Sequence, residues 1–173
     1  MIIVLIGYMA SGKSSIGKIL AKKLSCEFVD LDDFIENEEK ASVTDIFKSK
    51  GEIYFRKQET RYLKQLLQAE SNIILSVGGG TPCFGENMKL ILENENVKSI
   101  YLKASIPKLV KRLFDKKSKR PLISHIETKE ALTEFVGKHL FERVYFYNQS
   151  EIQIITDKKS KNKIAKEIIS ILF

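Results

Sequence analysis

The chain has 173 residues, enough for one domain with a sizeable core, and its ordinary apolar content argues against wholesale disorder. Its net charge of +7 is spread along helix-like segments, which favours a lysine-rich surface over a nucleic-acid face, and no apolar run approaches the ~20 residues of a membrane span. Only Cys26 and Cys83 occur, in no Cys-x-x-Cys pair, which argues against a disulfide framework or zinc site and for two reduced thiols.

The first apolar run, IIVLI at 2–6, predicts a buried strand. It begins at Ile2 and leaves no room for a signal or transit peptide, so a cytoplasmic protein is expected. The next stretch, GYMASGKS, matches G-x-x-x-x-G-K-[ST] and lies between this strand and an amphipathic pattern carried by Ile16, Ile19, Leu20 and Leu24. Gly7, Ala10, Ser11 and Gly12 let the backbone wrap phosphate oxygens. Lys13 adds a positive charge near the β and γ phosphates, Ser14 offers a hydroxyl to Mg²⁺, and the helix start adds its dipole. A nucleoside triphosphate and Mg²⁺ are therefore expected ligands.

CEFVD at 26–30 predicts a second strand, and DLDD at 30–33 closes it. On an extended chain Asp30 and Asp32 project to one side, where one can steady hydrated Mg²⁺ and the other accept a hydroxyl proton. An acidic helix start accounts for them equally well. From 31 to 71 the chain is polar and helical; Ser42 with Asp45 reads as a capped helix start. GEIYFRKQE at 51–59 opens a helix that puts Arg56 and Glu59 on one face. They form either a surface ion pair or a guanidinium site for a substrate carboxylate.

NIILSV at 72–77 predicts a third strand, and SVGGGTP follows. Gly78, Gly79 and Gly80 permit a backbone to approach a ligand closely, or simply make a flexible turn. After a fourth strand at 97–102 comes DKKSKRPLIS at 115–124, polar and interrupted by Pro121, which reads as a mobile loop. Its Arg120 is either a solvated charge or a group that reaches a transferring phosphoryl. LFERVYFY at 140–147 sets Arg143 and Tyr147 one turn apart. A fifth strand at 152–156 and a closing helix end the chain. His125 and His139 read as surface or loop residues.

Strands alternating with helices predict an α/β fold, a three-layer α/β/α sandwich around a five-stranded parallel sheet, in one domain over 1–173.

Taken together, GYMASGKSSIG, DLD, FRKQE, VGGG, RPL and RVYFY, in this order, resemble the shikimate kinases over nearly the full chain. The resemblance implies a fold of the P-loop kinase type and transfer of the ATP γ-phosphoryl group to the 3-hydroxyl of shikimate, a step towards aromatic amino acids. It implies that Lys13, Ser14 and Ser15 serve the nucleotide and that Ser14, with Asp30 through water, serves Mg²⁺. Asp32 would bind substrate hydroxyls and act as base, Arg56 and Arg143 would grip the shikimate carboxylate, and Glu59 would belong to the substrate site. Gly78, Gly79 and Gly80 would line the ring. Arg120 would reach in from a lid at 114–125, and Arg112 would lie near the adenine, as would the segment 156–161. A helical insertion at 31–71 would carry the substrate, and the protein would be a cytoplasmic monomer without nucleic-acid or membrane partners. Three positions depart from the family pattern: Ala10 and Ser15 stand where glycine and threonine are usual, and Tyr145 stands where a proline is typical.

Three other readings compete. A kinase for gluconate or a nucleoside monophosphate shares the loop and lid, but the Phe-Arg and triple-glycine motifs count against it. A GTP-dependent switch needs Asn-Lys-x-Asp, and NKIA at 162–165 lacks the aspartate. A basic nucleic-acid module leaves DLDD unexplained.

Overall fold

The computed structural model describes residues 1–115 and 122–173. Its sheet has five parallel strands, β1 (Ile2–Ile6), β2 (Glu27–Asp30), β3 (Ile73–Ser76), β4 (Val97–Lys103) and β5 (Ile152–Ile155), in the order β2-β3-β1-β4-β5. Each strand lies within one residue of its expected span at either end. The apolar runs form strands because both faces are covered: every β1 side chain is at most 1% exposed. Ile2, Val4 and Ile6 face one apolar cluster, and Ile3 and Leu5 face another. That is the period-2 alternation of a strand between two layers.

Helices α1 (Lys13–Leu24) and α7 (Lys161–Leu172) cover the second cluster through Ile16, Leu20, Ile164 and Ile168. The other face carries α2 (Leu31–Glu39), α3 (Val43–Leu67), α4 (Asn87–Leu92), α5 (Ile106–Phe114) and α6 (Lys129–Tyr147). Short polar side chains start these helices. Asp30, Ser42, Thr128 and Ser160 each accept a backbone N–H of the following first turn. Within α3, Gly51 adopts φ 81° and ψ 171°, so a second helical piece restarts there, as GEIYFRKQE suggested. Among the described residues no helix is long and apolar enough to cross a membrane.

From β1 the chain passes through α1 to β2, with β3 lying between, whereas from β3 it crosses to β4 on the other side of β1. The loops after β1 and β3 therefore diverge. A crevice at the carboxyl ends of such strands is where open parallel sheets place ligands.

Candidate active site

Loop geometry explains the glycines after β1. Gly7 (φ 149°) has no room for a side chain, because a Cβ there would stand 2.9 Å from the Leu102 carbonyl oxygen and from Ser11 Oγ. Gly12 (φ 110°) turns the chain into α1. Between them Ser11 N–H donates to the Tyr8 carbonyl at 3.1 Å, closing a tight loop. Lys13 Nζ folds back over it and donates to the carbonyls of Gly7 (2.8 Å) and Tyr8 (3.1 Å). Arg112 of α5 supports the loop from outside, donating to Ala10 O at 2.8 Å and Ser11 O at 3.3 Å.

The loop walls a crevice of about 470 Å³, the size of a small-molecule site. Met9 to Ser15 without Ser11, together with Asp30, Asp32, the segment Ser76–Gly79, Arg112, Asp115 and Lys161, line it. Ser14 Oγ donates to Asp30 Oδ2 at 2.8 Å, which sets two hard oxygen donors side by side. Among the described residues no group of three or more His, Cys, Asp or Glu could hold a metal ion. The donor set fits an ion that shares few protein oxygens and arrives with phosphates and water, as Mg²⁺ does.

Asp32 stands between this nucleotide-like end and a second cluster. Burial pushes its carboxyl up to about 6; the charges of Asp30, Glu59 and Asp33 push the same way, and Lys13 opposes them. A Cβ on Gly78 would lie 3.2 Å from Asp32 Oδ1 and 3.4 Å from Glu59 Oε1, so the glycine run is what leaves space between these carboxylates. Glu59, 1% exposed, accepts from Arg56 Nη1 at 2.8 Å and from Thr81 Oγ1 at 2.6 Å. The Arg56 guanidinium lies 3.8 Å from the Phe84 ring centroid, and a Cβ on Gly80 would press it at 3.1 Å. Flanked in this way, the guanidinium has a fixed plane, the arrangement that suits a carboxylate ligand.

Arg143 comes from α6. Its Nη1 donates to the His139 carbonyl at 3.2 Å. Burial pushes the Cys83 thiol up to about 11, while the charges of Arg143 and then Arg56 pull it down. Both guanidinium groups thus act on the turn that follows the glycine run. Tyr147, one turn beyond Arg143, donates its hydroxyl to the Gly79 carbonyl at 2.5 Å.

Comparison with known proteins agrees with this architecture. The family model of shikimate kinase matches residues 9–173. A shikimate kinase of Flavobacterium psychrophilum is 48% identical over 171 residues, covering 99% of this chain and 98% of its own. The chain belongs to the shikimate kinase family. It is an ATP-dependent phosphotransferase that acts on an alcohol group of shikimate. The crystal structure of the Bacteroides thetaiotaomicron shikimate kinase superposes with a TM-score of 0.90 at 31% identity, over 99% of this chain and 98% of that one. The shikimate kinase of Acinetobacter baumannii, solved in complex with shikimate, gives 0.83 at 26% identity, over 99% and 92%.

Most of the residues expected from the shikimate kinase motifs converge here, with several corrections. Asp30 and Asp32 do not share one side of an extended strand. The strand ends at Asp30, which caps α2 and accepts Asp32 N–H at 3.2 Å, so Asp32 sits in the first helical turn. The acidic helix start and the paired carboxylates are the same feature. Arg56 and Glu59 are not a surface pair, since Glu59 is buried. Arg112 is engaged with the loop carbonyls, and Lys161 reaches the crevice from the predicted 156–161 segment. Gly7, Ser11, Arg56, Glu59, Gly80 and Arg143 do not line the crevice; Arg56 and Glu59 adjoin it across Gly80 and Gly78, and Arg143 acts on the following turn at Cys83. Ala10 is small enough, yet its φ of 63° is left-handed, so its backbone rather than its size is the departure that matters. Tyr145 is 71% exposed on an unbroken α6. Arg120, and with it half of the predicted lid at 114–125, lies outside the described residues.

Two further participants were not visible in the motifs. Thr81, which no motif singles out, donates its hydroxyl to Glu59. His139, expected on the surface or in a loop, is half-buried on α6 and hydrogen-bonded to Tyr8 at 2.8 Å. His125 does lie exposed in a turn.

Proposed function

We propose that the crevice binds MgATP at the phosphate loop and shikimate beyond the glycine run, and that Asp32 joins the two. The observation that carries this reading is the position of Asp32, within the fields of both Lys13 and Glu59 and adjacent to Gly78. Gly12, Lys13, Ser14 and Ser15 hold the phosphates. Ser14 and Asp30, through water, hold Mg²⁺, which when bound screens the charge of the phosphate oxygens. Arg56, fixed by Glu59, and Arg143 grip the shikimate carboxylate, and Gly78 to Gly80 lie under the ring.

In this arrangement Asp32 accepts the proton of the 3-hydroxyl as that oxygen attacks the γ-phosphorus. The bond to the β,γ-bridging oxygen breaks, and ADP and shikimate 3-phosphate leave. The gain comes from holding an alcohol in line and from fixed cations around the spreading charge. The resemblance puts Arg120 on the lid at 114–125 and Arg112 beside the nucleotide. The chain acts as a single-domain, cytoplasmic monomer, its positive charge serving anionic small molecules rather than nucleic acid.

Arg56→Ala tests the clamp. Loss of a bidentate guanidinium is expected to raise the shikimate KM by about tenfold or more while the ATP KM stays within about twofold. An unchanged shikimate KM removes Arg56 from the site. ADP release measured side by side with shikimate, gluconate and nucleoside monophosphates tests the choice of acceptor.

A further inference from the structure

The side of α6 that faces the sheet carries His139, Arg143 and Tyr147 at successive turns, hence on one stripe of the helix. The outer two are tethered to different loops. Tyr147 is bonded to Gly79, and the Nδ1 of His139 is paired with the hydroxyl of Tyr8 in the phosphate loop at 2.8 Å. The Tyr8 and His139 rings meet edge to face at 5.6 Å, and Phe135 backs the imidazole at 5.1 Å. Arg143 stands between the two tethers and donates to the main-chain carbonyl of His139 itself.

We propose that His139 is a positioning residue which, through Tyr8, couples the phosphate loop to Arg143, so that a bound nucleotide tightens the hold on the carboxylate of the acceptor. This rests on the reading of Arg143 as part of the carboxylate clamp.

Three observations support the link. Tyr8 is 2% exposed, so its hydroxyl has little access to water in place of His139. Burial, with the charge of Arg143 acting the same way, lowers His139 to about 4, and burial raises Tyr8 to about 12. At neutral pH the imidazole is therefore uncharged, and its Nδ1 and the Tyr8 hydroxyl share one directional hydrogen bond whose donor is set by the ring tautomer. The main-chain carbonyl of Tyr8 is also one of the two that Lys13 Nζ holds. A phosphate that recruits Lys13 competes with that carbonyl, so the residue that senses the nucleotide is the one whose ring touches α6.

The experiment measures shikimate dissociation constants with and without ADP and Mg²⁺ for the wild type, Tyr8→Phe, His139→Leu and the double variant, alongside kcat and both KM values. In the wild type ADP is expected to tighten shikimate binding by about fivefold or more, the lower range of coupled sites. Tyr8→Phe keeps the ring and loses only the hydroxyl, and is expected to bring that ratio close to one. Its shikimate KM rises, and ADP binding alone changes by less than about twofold. The double variant is expected to be no worse than either single one, and His139→Gln, which offers an amide oxygen, to recover part of the coupling. A wild-type ratio of one, or a wild-type ratio retained in Tyr8→Phe, overturns the inference. Tyr8→Phe decides alone if His139→Leu does not fold. Arg143→Ala separates the two levels: weakened shikimate binding there with intact coupling in Tyr8→Phe overturns the link only. Unchanged shikimate binding in Arg143→Ala overturns the clamp and the link together.

Discussion

Burial and three neighbouring carboxylates hold Asp32 up to about 6, against an ordinary 3.8, and this has opposite consequences for activity and stability. A base with this property is ionised at neutral pH yet still basic enough to take a hydroxyl proton. Turnover is therefore expected to fall as the pH drops below about 6, and Asp32→Asn to lower kcat by about 10²–10⁴-fold. The folded value exceeds the unfolded one, so the contribution of Asp32 to stability is present below about pH 4 and is lost as the pH rises through about 6. At pH 8 Asp32→Asn is accordingly expected to stabilise the protein by on the order of 1–2 kcal/mol, allowing for partial solvation, and at pH 4 to give no gain. Thermal melts at the two pH values check the sign. Ala10 gives a second residue-scale case. Its left-handed backbone (φ 63°) is one that glycine adopts without strain. Ala10→Gly is expected to raise Tm by about 2 °C, the net of relieved strain and greater unfolded-state freedom, with ATP KM little changed.

At the scale of elements, α1 has a double duty: its first turn lines the crevice and its flank seals the sheet. The seal depends on Gly17, where a Cβ would stand 2.4 Å from Phe28 and 3.2 Å from Leu5. Helix propensity alone would make Gly17→Ala stabilising by about 1 kcal/mol. The crowding opposes it by about 1–3 kcal/mol, so a net loss of roughly 1 kcal/mol is expected in denaturant melts. Helix α3 shows the converse. Gly51 breaks it where nothing lies within 4 Å, and the restarted piece carries Phe55, Arg56 and Glu59. Strand and helix positions were readable from apolar spacing because burial on both faces of β1 and one face of α1 leaves no other pattern. The boundary at Asp30 was not readable, since Asp suits a strand end and a helix cap equally and only the hydrogen bond from Asp32 N–H decides between them.

At the scale of the molecule, the fold is held by apolar packing on the two faces of a parallel sheet, and the described residues offer no cluster that could hold a metal on its own. Chelation with EDTA is therefore expected to stop turnover, reversibly on adding Mg²⁺, while the Tm of the nucleotide-free protein moves by less than about 1 °C. A large shift in that Tm would reveal a structural ion. The amino-acid sequence alone determined the layered α/β fold, the phosphate loop and the set of acidic, guanidino and glycine positions. These are local demands, in which spacing along the chain is itself the signal. Only the tertiary structure decided which side chains meet: Glu59 with Thr81, Arg112 with the carbonyls of the phosphate loop, and His139 with Tyr8 across 131 positions of chain. Such pairs leave no periodicity in sequence. Their partners are chosen by the stacking of α3, α5 and α6 over the carboxyl end of the sheet, and that stacking exists only once the core has closed.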